Sequence, residues 1–141
     1  MWERIRNWLR KQYQLSSSDI GSLGERAAEA FLRKKGYQVI VRNWRYKRDE
    51  LDLICRDNEI LVFVEVKTRS SRALVPGYYA IDRRKKTALL RGCRAYLRGL
   101  SVKPRAVRFD VVEVSRQSGK REKIYHFENV PLFPKEFARS S

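Results

Sequence analysis

Apolar positions along this chain follow two rhythms, one with the period of a helix and one with that of a strand. Ala27, Ala28, Phe31 and Leu32 recur at three- and four-residue spacing, which predicts a helix over 23–35. Ser22 and Glu25 have the S-x-x-E spacing of a capping box, and Gly36 is a helix stop. A strand is expected over 37–41, then a turn region over 43–47 that carries Trp44 and Tyr46. A second strand covers 50–56, followed by a polar turn at Asp57-Asn58. The run Ile60 to Lys67 is nearly all β-branched or aromatic, as in a central strand covered on both faces. Residues 68–79, with Pro76 and Gly77, read as a loop. A second helix spans 82–98, buried along Leu89, Cys93, Tyr96 and Leu97 and ended by Gly99. A strand at 106–114, a turn at Ser118-Gly119 and a short strand at 123–127 complete the order α-β-β-β-α-β with a final β. The fold class is α/β, a mixed central sheet flanked by helices. Residues 1–15 pattern as a basic amphipathic helix, with Trp2, Ile5, Trp8 and Leu9 near one face. Ser16 to Asp19 reads as a hinge. The organisation is therefore an extension at 1–19, one domain at 20–130 and a tail at 131–141.

Charged residues interrupt the two most strand-like runs. Asp52 lies in Glu50-Leu51-Asp52-Leu53-Ile54, and Glu65 and Lys67 lie in the apolar run that follows. Burying a charge costs several kcal/mol unless it is paired, hydrogen-bonded or bound to a metal. Alternation along a strand puts Glu65 and Lys67 on one face, and Glu50 and Asp52 likewise. A hairpin about 57–58 pairs Arg56 with Glu59, Asp52 with Phe63 and Glu50 with Glu65, which sets Asp52 diagonally from Glu65. Mg²⁺ or Mn²⁺ suits carboxylates so placed, keeping waters for phosphate to replace. Lys67 would orient the attacking water or balance charge on the phosphorane. The competing readings are a same-face ion pair for Glu65 and Lys67, an arginine partner for Asp52, and an exposed edge charge for Glu50. Asp110 reads as a structural partner for a nearby base, and His126 as a satisfied surface imidazole.

Charge narrows the choice of partner. Thirty-two Lys and Arg against sixteen Asp and Glu give a formal +16, so the chain repels itself and favours a polyanion. Nucleic acid fits best; an anionic membrane surface is the other reading. Arg83, Arg84, Lys85, Lys86, Arg91, Arg94 and Arg98 on the second helix, Arg69 and Arg72 before it, and Arg42, Arg45, Lys47 and Arg48 before Glu50 would contact phosphates. Lys85 and Lys86 also read as a solvated helix face, and Tyr78 and Tyr79 either stack on unpaired bases or pack on the sheet. Cys55 and Cys93 lack metal-ligand spacing and read as free thiols in a reducing cytosol. With no apolar run of spanning length and no signal-peptide core, a cytoplasmic location is expected, with no membrane span.

Gly24-Glu25 on a helix, Glu50-Leu51-Asp52-Leu53-Ile54, and Phe63-Val64-Glu65-Val66-Lys67-Thr68-Arg69 together resemble the YraN-type uncharacterised bacterial proteins. That family is similar to the restriction-endonuclease-like, PD-(D/E)xK nuclease fold and to archaeal Holliday-junction resolvases. The resemblance spans residues 20–130, with Leu51 where proline commonly precedes the aspartate. It implies Asp52 and Glu65 as metal ligands with the Val66 backbone carbonyl, Lys67 as the catalytic lysine, and Glu25 as a helix-borne acid that helps hold the metal. It also implies Mg²⁺ or Mn²⁺ and a homodimer. The expectation is a metal-dependent endonuclease acting on structured or branched DNA. The alternatives are a non-catalytic nucleic-acid-binding module of the same fold, and a basic interaction protein that docks through its N-terminal helix.

Overall fold

The computed structural model describes residues 17–70, 81–116 and 119–135. The expected N-terminal helix at 1–15, Arg72, Pro76, Tyr78, Tyr79 and Ser118 lie outside the described residues. The elements are α1 (Ser17–Lys34), β1 (Gln38–Tyr46), β2 (Asp49–Asp57), β3 (Ile60–Ser70), α2 (Arg83–Arg98), β4 (Ala106–Arg116) and β5 (Lys123–Phe127). One mixed sheet runs β1-β2-β3-β4-β5, with β3 and β4 parallel across the α2 connection and the other neighbours antiparallel. The expected element order and α/β class are those observed.

A helix covers each face of the sheet. Ala28 and Leu32 of α1 pack with Leu53, Cys55, Val62, Val64, Val112 and Val114. Leu89 and Cys93 of α2 pack with Leu51, Ile54, Phe63, Phe109 and Val111 on the other side. β3 contributes to both layers, which is why its sequence is apolar at successive positions. Both cysteines are free and buried, and burial pushes the Cys55 thiol up to about 12.

Several boundaries differ from expectation. α1 is already under way at Ser17, so Ser17–Asp19 are helix and not hinge, and Ser22 and Glu25 are interior residues that form no capping box. The stripe Leu23, Gly24, Ala27, Ala28 leaves Ser22 on the exposed side of a helix that simply continues. Gly36 does end α1: with φ of 97° it lets Tyr37 N–H reach Leu32 O at 3.0 Å. Asp82 caps α2, its carboxylate accepting the Lys85 N–H at 2.8 Å.

The segment 43–47 is mostly strand. Trp44, Arg45 and Tyr46 pair with Leu51, Glu50 and Asp49, and the turn falls at Lys47-Arg48, with Lys47 at φ of 54°. β3 outlasts its expected end because parallel pairing with β4 carries it to Ser70 opposite Arg116. The β2–β3 turn sits at Asn58-Glu59, with Asn58 at φ of 52°. Moving the turn by one residue shifts the cross-strand register by two, so Ile54 faces Phe63 and Leu53 faces Val64.

Candidate active site

The β2–β3 ladder reaches Leu53 opposite Val64 and stops, although both strands continue. Beyond that point the Val66 N–H donates to Asp52 Oδ2 at 2.8 Å, so a side chain stands where a ladder carbonyl otherwise would. The same register continued by one step sets Asp52 across from Glu65, not diagonal to it. Alternation also breaks here: Leu51 packs in the α2 layer and Leu53 in the α1 layer, though they are two residues apart. On β1 the matching irregularity is Asn43, at φ of 49°, between Val41 and Trp44, both of which pack on the α2 side. The strands thus fork, and the fork is approached by α1 from one face and α2 from the other.

A cleft of about 360 Å³ opens at the fork, lined by Ile20, Gly21, Glu25, Asp52, Glu65, Val66 and Thr68. Gly24 lets α1 come down onto β3 at this place: a Cβ there would lie 1.9 Å from Thr68 Oγ1. That approach puts Glu25 at the cleft wall. With its amide oriented to donate, Asn43 Nδ2 lies 3.0 Å from Glu25 Oε2 and 3.3 Å from Glu50 Oε1. Glu50 is also 3.5 Å from Arg45 Nη2.

Glu65 is 4% exposed. Its Oε1 has Lys85 Nζ at 3.4 Å and Lys67 Nζ at 3.6 Å, while its Oε2 is buried with no hydrogen-bond partner. Burial, and then the Asp52 charge, push the Glu65 carboxyl up to about 7, against the pull of Lys85 and Lys67. Asp52 is also raised, chiefly by burial, with the Val66 N–H opposing. Glu25 is raised by burial and by Asp52. A proton shared between the Asp52 and Glu65 carboxyls, or a cation between them, satisfies the unpaired oxygen. Two carboxylates and the Val66 carbonyl at a water-accessible cleft are a donor set that fits Mg²⁺ or Mn²⁺, which bind through one or two carboxylates and retain waters. Among the described residues no three His, Cys, Asp or Glu side chains gather closely enough to hold an ion, so the acidic centre is a pair, with Glu25 on the wall.

The raised acid predicts a pH dependence of stability. An acid whose folded value exceeds its unfolded one takes up a proton on folding. Its contribution is therefore greatest below the unfolded value near 4.5 and is lost as pH rises toward about 7. In EDTA the protein is expected to lose stability across that window. Glu65→Gln should flatten the slope. Urea midpoints at a series of pH values measure it, and an unchanged slope in the variant would mean that other groups set it.

Sequence reasoning placed Asp52, Glu65, Val66 and Lys67 together, and the structure brings them together. It missed two residues, Asn43 and Asp49. Lys85, expected as a phosphate contact or else on a solvated helix face, is half-buried and turned onto Glu65. Asn43 was lost inside an expected turn. Asp49, adjacent to Glu50, is 6% exposed and takes a two-point bond from Arg91 at 2.6 and 2.7 Å, which locks α2 to β2 and holds its carboxyl below the usual range. No spacing rule signals that pair, since its members are on different elements. Arg42 is likewise engaged, with Glu29 of α1. Arg45, Arg48, Arg83, Arg84 and Lys86 are exposed, and Arg69 lies on β3 and not in a loop. Asp110 is a structural partner, as expected. His126 is not at the surface: its side chain is 3% exposed, 2.8 Å from Asp110 Oδ2 through Nε2 and 2.8 Å from Lys35 Nζ through Nδ1.

The model for "Uncharacterised protein family UPF0102" matches residues 24–114, a span that contains Glu25, Asp52, Glu65 and Lys67. A UPF0102 protein of Symbiobacterium thermophilum is 45% identical over 98 residues, 70% of this chain and 83% of its own length. One from Beutenbergia cavernae is 43% identical over 111 residues, 79% of this chain and 94% of its own. A third, from Lawsonia intracellularis, is 34% identical over 116 residues, covering 82% and 87%.

Proposed function

This chain belongs to the uncharacterised protein family UPF0102, and we propose that the pocket at its β2–β3 fork makes it a divalent-metal-dependent endonuclease of structured or branched DNA. One observation carries the reading: Asp52 and Glu65 meet at a cleft with Glu65 Oε2 buried and unpaired, while two lysines converge on the other oxygen. The resemblance to nucleases of the PD-(D/E)xK kind supports it.

Asp52, Glu65 and the Val66 carbonyl would hold Mg²⁺ or Mn²⁺, with Glu25 holding water at the rim. The ion, when bound, polarises the phosphate and supplies hydroxide near neutral pH. Lys67, with its side chain 30% exposed, offsets the negative charge that builds on the phosphate oxygens. Arg45, Arg48, Arg69, Arg83, Arg84 and Lys86 contact phosphates, which position DNA without reading its sequence. Paired incision of a junction needs two copies, so the reading carries a homodimer with it. None of the described helices is long and apolar enough to cross a membrane.

A second reading, a nucleic-acid-binding module without turnover, draws on the two lysines that already neutralise the acidic pair. The wild-type protein is offered duplex, flap and four-way-junction DNA with Mg²⁺, Mn²⁺ or EDTA. Cleavage is expected with either ion and none in EDTA. DNA affinity should fall steeply with salt, log K against log [salt] sloping about −0.9 per phosphate contacted. Binding without cutting under every condition would replace the enzyme with the module. A flat salt response would remove both.

A further inference from the structure

We propose that Lys85, on the first turn of α2, is a second lysine on Glu65, beside Lys67, that holds the scissile phosphate. Its role is distinct from the outer phosphate contacts of Arg83, Arg84 and Lys86. The inference rests on the endonuclease reading and adds a residue which that reading does not require. Lys85 Nζ lies 3.4 Å from Glu65 Oε1, and Lys67 Nζ lies 3.6 Å from the same oxygen. Two ammonium groups so close repel unless an anion stands between them, and a single carboxylate oxygen is shared by both. The other oxygen of that carboxylate is buried and without a partner.

The two lysines come from separate elements. Lys67 is carried by β3 and Lys85 by α2, whose start is fixed by the Asp82 cap on the Lys85 N–H. Arg83, Arg84 and Lys86 are exposed, whereas Lys85 is half-buried against Glu65. Once Asp52 and Glu65 turn their oxygens to a cation, both ammonium groups beside Glu65 are left without a carboxylate of their own. A phosphodiester oxygen supplies the missing negative charge, and a compact ammonium on a rigid helix suits it.

The test compares wild type, Lys85→Ala, Lys85→Arg and Lys86→Ala. Single-turnover cleavage is measured at saturating junction DNA. Separately, a 5′-phosphorylated thymidine dinucleotide is titrated by NMR in Ca²⁺ buffer, a readout independent of cutting. Lys85→Ala is expected to lower the saturated rate about 10²-fold and weaken dinucleotide binding about tenfold. Lys85→Arg should recover dinucleotide binding. Lys86→Ala should act on the affinity for long DNA, with the salt slope reduced by about one. The backbone bond to Asp82 survives each substitution, so the helix start is retained. If Lys85→Ala changes only long-DNA affinity, as Lys86→Ala does, the assignment is overturned and the endonuclease reading stands. If the wild type neither cuts nor binds the dinucleotide, both fall.

Discussion

Glu65→Gln is expected to reduce metal-dependent DNA cleavage on the order of 10³-fold, equivalent to about 4 kcal/mol of barrier, while DNA affinity stays within a few-fold of wild type. Asp52→Asn should do the same. Both carboxylates would hold one ion, so the double variant should be little worse than either single one. The fold should survive for reasons visible at the fork. An asparagine at 52 keeps an oxygen for the Val66 N–H, which Asp52 Oδ2 accepts at 2.8 Å. A glutamine at 65 brings an amide to the side of the residue where Oε2 now lacks a partner, and removes a buried acid. Glu65→Gln should therefore be at least as stable as wild type in EDTA at neutral pH, even as it loses activity. Cleavage rates, fluorescence anisotropy and urea midpoints on the same preparations separate these outcomes. Wild-type rates of cutting in either variant would place the activity elsewhere, in a contaminant or another site.

Asp110→Ala is expected to cost about 3–5 kcal/mol of stability, the range for breaking a buried ion pair from one side. Asp110 is fully buried on β4. It accepts from Arg108 Nε at 2.8 Å and Nη2 at 2.9 Å and from the Asn129 N–H at 3.0 Å, with His126 Nε2 at 2.8 Å. Arg108 also donates to Tyr37 OH at 2.5 Å, and Tyr37 donates to Glu128, so the cluster ties the start of β1 to β4 and the segment after β5. Burial alone would raise the Asp110 carboxyl; its bonds from His126, Arg108 and Asn129 outweigh that and hold it below the ordinary value. The sign follows. A depressed acid contributes stability that is present above the unfolded value near 3.8 and is lost as pH falls through the lower folded value. Urea midpoints for wild type should thus decline between about pH 5 and pH 2, and Asp110→Ala should show a lower plateau and a shallower decline. A loss under about 1 kcal/mol would mean that Arg108 finds another partner and that the cluster contributes little.

How the residues signalled their roles depended on whether the physics was local. Gly36 ends α1 and the β-branched run of β3 is buried on both faces because each depends only on backbone preference and on continuous apolarity. The failures occurred where local rules compete with pairing. Asn43 is a turn-forming residue, yet the ladder to Leu51, Glu50 and Asp49 makes Trp44 to Tyr46 strand. Ser22 and Glu25 satisfy a capping pattern, yet the helix stripe runs through them. A hairpin turn centred one residue later sets Leu53 opposite Val64, and that register carried one step further takes Asp52 from opposite Phe63 to opposite Glu65, while keeping parity. The expectation that aspartate and glutamate meet therefore came through a wrong register.

By itself the sequence determined the α/β order, the two-sided burial of β3, and the presence of an aspartate, a glutamate and a lysine where charge does not belong. Each of these follows from interactions among near neighbours in the chain or from the cost of burying a charge. Only the tertiary structure decided that the strands part at Leu53 and Val64, that Asn43 and Gly24 bring Glu25 to the cleft, and that Lys85 and not Lys86 turns inward. Those outcomes depend on how far two helices approach opposite faces of one sheet, and such a distance is set by side-chain volumes from distant parts of the chain, which no local pattern encodes.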